Sequence, residues 1–231
     1  YHFNEPIMNS APDIGSGPTD FTDDGGKDHH ASESGGVRTE DSAVFGKALK
    51  FDGIDSFLEL PTGPTFPISQ KNGFSISMWV KGRSSQVDKK IFAEGSTLSN
   101  QPFFHLGTSG PGDSGKMQLV IQDDAGVVLS QGHTTSEPFD GNWHHIVYTD
   151  AMGAVNIYVD GIPDAQNFNY VRGALSLDRS GLGAALRVAE DGFFDGFVDE
   201  FAAWSRSLDV NEVQQLYRRG ANRIKFQVRS C

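Results

Sequence analysis

From Lys47 onward this chain alternates apolar and polar residues in short runs, each closed by Gly, Pro, Asn or Asp. A period of two marks a strand with one buried face, whereas a core-facing helix repeats every 3.6 residues. The runs are KALKF (47–51), SFLEL (56–60), GFSISMWVKG (73–82), KKIFAEG (89–95), FFHLGT (103–108), KMQLVIQ (116–122) and GVVLSQG (126–132). NWHHIVYT (142–149), VNIYVD (155–160), AALRVAE (184–190) and GFVDEFAAWSR (196–206) complete the series. Strands at this spacing, almost without helices, predict an all-β chain built as a two-sheet antiparallel jelly-roll sandwich. At 231 residues it is long enough to bury its own core as one domain.

One segment breaks the alternation. In SLDVNEVQQLYRRG, Asp209 is placed as N-cap with Glu212 three residues on, a capping box, and Leu208 and Val213 can close a hydrophobic staple. Val213, Leu216 and Tyr217 share a face; Arg218 and Arg219 suit the helix's negative end and Gly220 a left-handed cap. The expected organisation is a sandwich over residues 1–220 with this one short C-terminal helix. Residues 221–231 follow as a strand or linker toward a further module.

Residues 4–45 differ in composition, being rich in Gly, Ser, Pro and Asp and free of periodicity; Lys27 and Arg38 are the only cations between Asp13 and Asp41. A loop this long inside a compact domain is functional or tied down, and a bound cation is one way to tie it. The formal net charge of −11 argues against a nucleic-acid partner, which needs a basic face. No apolar run reaches the roughly 18 residues of a membrane span. The chain opens at Tyr1 rather than Met, as an excised piece of a larger protein would, and its single cysteine, Cys231, is expected to pair beyond it.

The adjacent His144 and His145 suggest a metal or a catalytic base. Alternation puts them on opposite faces of one strand, so they cannot chelate together, and no third ligand stands at a suitable spacing. His145 shares its row with Trp143 and Val147 and reads as a buried histidine bonded to the backbone. The pair is expected to be architectural.

Four blocks resemble the laminin-G-like jelly rolls of the concanavalin A-like lectin/glucanase group. They are FGKALKFDGIDSFLELP (45–61), FSISMWVK (74–81), NWHHIVYTDAMGAVNIYVDG (142–161) and FDGFVDEFAAWSRSLDVNEVQQLY (194–217), in the family's order. The resemblance implies curved antiparallel sheets with the final strand beside the first. It also implies a module of secreted or cell-surface proteins that binds glycans or protein surfaces, sometimes with Ca²⁺. Carried onto this sequence, the Ca²⁺ ligands would be Asp52 and Asp199, which match the blocks, with Glu5 and Asp13 on looser alignment. The other reading is that Asp52 holds the turn before Gly53 and that Asp199 satisfies backbone at a strand edge.

Glycosidases need two carboxylates facing one cleft. Asp52, Asp55 and Glu59, like Asp195, Asp199 and Glu200, do not reproduce the E-x-D-x-(x)-E pattern of the glucanase relatives, so no catalytic residue is expected. Sugar recognition needs aromatic surface beside polar groups. Trp79, Trp143 and Trp204 fall inside strands and are expected in the core, whereas Asn100, Gln101, Phe103, His133, Phe168, Tyr170 and Phe193 sit in loops that would form a binding rim. The sequence thus predicts a non-enzymatic, extracellular binding or adhesion module, glycan-directed and Ca²⁺-assisted. The alternative is a protein-interaction or spacer module of a larger adhesin-like chain.

Overall fold

The computed structural model describes residues 20–21, 31–41, 43–63 and 66–221. Its strands run β1 (Asp20–Phe21), β2 (Ala31–Ser34), β3 (Arg38–Glu40), β4 (Ala48–Asp52), β5 (Phe57–Leu60), β6 (Gly73–Gly82), β7 (Lys90–Gly95), β8 (Phe103–Thr108) and β9 (Met117–Gln122). They continue with β10 (Val128–His133), β11 (His144–Ala151), β12 (Ala154–Val159), β13 (Ile162–Pro163), β14 (Arg179–Leu182), β15 (Ala185–Leu186), β16 (Glu190–Asp191) and β17 (Asp195–Trp204), before helix α1 (Val210–Ala221). An eight-stranded sheet has the order β1-β2-β5-β14-β7-β8-β9-β10, and a seven-stranded one β13-β12-β11-β6-β17-β4-β3. The named strand pairs are antiparallel, and the two sheets enclose one core in a jelly-roll sandwich.

Alternation sets the core. Phe74, Ile76, Met78 and Val80 of β6 point inward beside Ile146 and Tyr148 of β11, against Phe92, Phe104 and Leu106 of the facing sheet. The residues between them on β6, Ser75, Ser77 and Trp79, face out and are buried as well, because α1 covers that face. Leu208 and Val213 join Val147 and Tyr158 there, and Tyr217 stacks on Trp79 at 5.8 Å between ring centroids. Ser75 Oγ donates to the Arg206 carbonyl and accepts from the Leu208 amide, so this buried hydroxyl under the helix is satisfied.

The capping box forms as the sequence predicts: Asp209 Oδ1 accepts from the Asn211 and Glu212 amides, and the Asp209 amide donates to Glu212 Oε2. Gly220 corrects the expectation of a left-handed cap, since it lies inside α1. A Cβ there would fall 2.3 Å from the Trp79 ring, so close packing rather than turn geometry requires glycine.

Three other expectations change. Part of the acidic N-terminal stretch is strand: β2 pairs with β5, and β3 with β4, so strand pairing ties down 31–40. The 184–190 run is not one strand but the two arms of the β15–β16 hairpin. Trp143 and Trp204 are only half-buried and lie outside the core, Trp204 packing under α1.

Candidate functional site

Strands β6 to β12 run end to end through the sandwich, which fixes where each loop emerges. The turn before β6, the β7–β8 and β9–β10 loops, the β11–β12 turn and the 170–178 segment all meet at one end. The β10–β11 loop, the β12–β13 turn, the 53–56 turn and the entry to β17 meet at the other. Even the six-residue β8 spans about 20 Å at the usual strand rise, so no small ligand touches both ends.

The first end is organised by two buried carboxylates. Glu94 accepts from the Ile68 amide at 2.6 Å, the Ser69 amide at 2.9 Å, the Ser180 hydroxyl at 3.0 Å and the Ser69 hydroxyl, which locks the Ile68–Gln70 helical turn onto the sheet. Burial pushes its carboxyl up in pKa, opposed by those donors. Asp150 Oδ2 accepts from Tyr170 at 2.7 Å and Tyr148 at 3.2 Å, and Oδ1 from the Gly153 amide at 2.7 Å. Burial, together with the bond to Asp150, raises the Tyr170 phenol well above its ordinary range.

Arg172 spans the two systems, with Nη2 donating to the Ser69 carbonyl at 2.6 Å and Nη1 lying 3.8 Å from Asp150. Gln70 Nε2 donates to the Leu175 and Leu177 carbonyls, and Asp124 accepts from the Ser176 amide and hydroxyl, so the loop over this end is pinned on both sides. Gln70, Asn72, Arg172, Gly173, Leu175 and Ser176 line a cavity of about 420 Å³. That volume falls within the range of small-ligand sites. Arg172 Nη1 is buried without a hydrogen-bond acceptor, and Asn72 is exposed at the edge of the cavity.

The expected rim does not assemble as one surface. Asn100, Gln101 and Tyr170 do reach this end; Gln101 packs against Gly126, and Tyr170 acts through Asp150 as a positioning residue rather than a platform. Phe103 is buried under the Arg187 guanidinium, 4.4 Å from its ring centroid. Phe168 is a core residue beside Gly132. His133 and Phe193 lie at the far end, against Asp113 at 3.3 Å and Phe57 at 6.5 Å. Sequence reasoning passed over Gln70, Asn72, Arg172 and Ser176. The available signal was Arg172 itself, the one cation in the irregular stretch between Pro163 and Asp178.

Of the four expected Ca²⁺ ligands, Glu5 and Asp13 lie outside the described residues. Asp52 Oδ1 accepts from the amides of Ile54, Asp55 and Ser56 and from the Ser56 hydroxyl. Asp199 sits at a β-bulge, where its oxygens accept from the Val44, Phe45 and Glu200 amides. Burial pushes its carboxyl up to about 6. Asp52 is opposite Asp195, four residues along β17 from Asp199, so the two backbone positions stand about 13 Å apart along the strand. They do not fit a shared cation site. Among the described residues no group of three or more His, Cys, Asp and Glu is placed to hold a metal.

Of the other carboxylates weighed for catalysis, Glu59 pairs with Arg179 and Asp195 with Arg83. His144 Nδ1 meets Asp160 at 2.8 Å and Nε2 meets Asp140 at 3.1 Å, which raises the imidazole pKa and leaves neither nitrogen to act as a base. His145 is buried and packs against the Trp79 and Tyr217 rings, but its Nε2 bonds to the Ser77 hydroxyl at 2.9 Å rather than to the expected backbone. The pair is architectural, as its alternation implies.

The profile described as Laminin_G_3, concanavalin A-like lectin/glucanases superfamily, matches residues 52–214. Among solved structures, domain 4 of AbnA, a GH43 extracellular arabinanase from Geobacillus stearothermophilus in complex with arabinotriose, is 23% identical with a TM-score of 0.61, covering 80% of this chain and 82% of that one. Botulinum neurotoxin type C, whose cell entry depends on two ganglioside molecules, superposes with a TM-score of 0.65 at 15% identity over 86% of this chain. The binding domain of botulinum neurotoxin DC, in complex with rat synaptotagmin II, gives 0.66 at 13% identity over 86%. The chain spans about half the length of these toxin structures, 48% in both cases. At these identities the likeness establishes the fold. Among curated proteins, none matches the chain by sequence.

Proposed function

Because this chain belongs to the Laminin_G_3 family of the concanavalin A-like lectin/glucanases superfamily, we propose that it is a non-enzymatic glycan-binding module which takes a short neutral oligosaccharide in the end cavity beneath Arg172. The observation that carries the reading is a polar cavity at that end, lined by Gln70, Asn72, Arg172 and Ser176 and braced by the hydrogen bonds of Glu94 and Asp150. A sugar hydroxyl both donates and accepts, so it suits a side-chain amide and a guanidinium on one wall. Buried carboxylates that fix the donors beforehand lower the ordering cost of binding. Display outside the cell and Ca²⁺ assistance belong to the same reading, with the ion placed elsewhere than at Asp52 and Asp199. The arabinotriose complex of the arabinanase domain is consistent with a neutral ligand, and the ganglioside dependence of the type C toxin with glycan recognition on this fold.

A protein partner is the second reading. It is favoured by the groove of about 480 Å³ at the opposite end, where Ile162 is 69% exposed beside Val159 and Pro163.

Calorimetric titration with arabinotriose and a panel of neutral oligosaccharides tests the first. Binding is expected to weaken about tenfold in Asn72→Ala, the loss of one well-placed hydrogen bond. Asn72→Ala removes no internal side-chain bond, so its unfolding midpoint should not move. Arg172→Ala should abolish binding. Affinity unchanged in both variants would remove the cavity from the mechanism.

A further inference from the structure

On the outer face of the seven-stranded sheet, α1 covers the row that holds Trp79 and His145 and leaves the next row open. The register spells that row out. Arg38 of β3 faces Lys50 of β4, Lys50 faces Phe197 of β17, Phe197 faces Lys81 of β6, and Trp143, just before β11, continues the line beside Lys81. Lys50 Nζ lies 5.5 Å and Lys81 Nζ 5.8 Å from the Phe197 ring centroid, and the Trp143 and Phe197 rings are 6.1 Å apart. Arg38 is exposed and the other four are half-buried.

On a chain of net charge −11 this row has no acidic partner: among the described residues no carboxylate is ion-paired with Arg38, Lys50 or Lys81. The nearest carboxylates in register are Asp52, bonded within its own turn, Asp195, paired with Arg83, and Glu40, two residues along β3 from Arg38. Three cations without an ion pair among the described residues, beside two aromatic rings, form an anion-accepting strip, and rings of this kind stack on the apolar faces of sugars.

We propose that this strip binds an acidic polysaccharide of the polyuronate class, stacking sugar rings on Trp143 and Phe197 while the carboxylates meet Lys81, Lys50 and Arg38. Four strand spacings give the row a length of about 19 Å, enough for several sugar residues and too long for one. Three cations interspersed with two rings along the row fit a chain that carries one carboxylate per sugar, whereas a densely sulfated chain calls for a denser basic cluster. The strip is separate from the end cavity and does not depend on it.

Affinity electrophoresis in gels cast with polygalacturonate, with its fully methyl-esterified form and with heparin tests the proposal. The wild-type protein should be retarded by polygalacturonate, progressively less as salt is added, and not by the ester. Lys50→Gln/Lys81→Gln, Arg38→Gln and Trp143→Leu should each weaken retardation, the double variant at least about tenfold. Asn72→Ala should leave it unchanged, which separates this strip from the neutral-glycan cavity. Thermal melts establish that each variant is folded, and the exposed, unpartnered Arg38→Gln provides a reading should the double variant prove unstable. Absence of retardation by polygalacturonate, retardation that survives Lys50→Gln/Lys81→Gln, or stronger retardation by heparin that is indifferent to Trp143→Leu would each overturn it.

Discussion

His144 and His145 differ by one position and take opposite electrostatic roles. His144 is held between Asp140 and Asp160, and its pKa rises because the imidazolium donates to both. Its contribution to stability is therefore full below the unfolded value of about 6.5 and is lost as pH climbs through the folded one. His145 is the reverse case: burial lowers its pKa to about 4, and its Nδ1 has no partner. The stability it supports is present above about 6.5 and disappears as pH falls toward 4, a difference of about 3 kcal/mol for a shift of that size. Subtracting urea-unfolding curves of His145→Gln from wild type between pH 7 and 4 should expose this loss, since the substituted side chain cannot titrate. Parallel pH profiles would contradict a buried neutral imidazole. Sequence alternation could place the two rings on opposite faces, but Asp140 and Asp160 come from loops whose approach depends on the fold.

Helix α1 shows where a local rule reverses sign. In an exposed helix interior, Gly→Ala is favourable by about 1 kcal/mol. Here a Cβ at Gly220 would meet the Trp79 indole at 2.3 Å, and overpacking of that kind costs about 1–3 kcal/mol. Gly220→Ala is thus expected to lower stability, while Trp79→Phe should relieve the conflict and make the pair non-additive in a double-mutant cycle read by denaturant midpoints. A stabilised Gly220→Ala would mean that the helix end does not press on Trp79. The capping box, the staple and the apolar face of α1 were all legible in SLDVNEVQQLY because each depends on neighbours within a turn or two. Gly220 was not, because its partner is 141 residues away in sequence and meets it only across the sheet surface.

Across the molecule, the loops sort to two ends, and that sorting decides which candidate residues can act together. Tyr170 and Arg172 share an end with Asn72, whereas His133 and Phe193 stand at least a strand's length away. Asp52 and Asp199 are likewise separated, Asp52 Oδ1 being held by its own turn and Asp199 by the Val44, Phe45 and Glu200 amides. Asp52→Asn keeps an acceptor for those amides and removes the charge. It should change stability by no more than about 0.5 kcal/mol, and by the same amount in Ca²⁺ as in EDTA, when followed by thermal unfolding. A loss seen only with Ca²⁺ would place the ion at the 53–56 turn after all.

The sequence by itself determined the all-β class, the positions of most central strands, the two faces of 142–149 and the single capped helix. These follow from side-chain periodicity and short-range capping, which act within a few residues. It also carried the family, through four blocks in order. The tertiary structure alone decided that 31–40 joins the sheets as short edge strands, because a Gly- and Ser-rich stretch has no periodicity to read until partner strands supply its hydrogen bonds. It likewise decided the cavity at Asn72 and Arg172 and the row from Arg38 to Trp143. Both are assembled from segments distant in the chain, and the strand register that brings them together is set by the packing of the whole core.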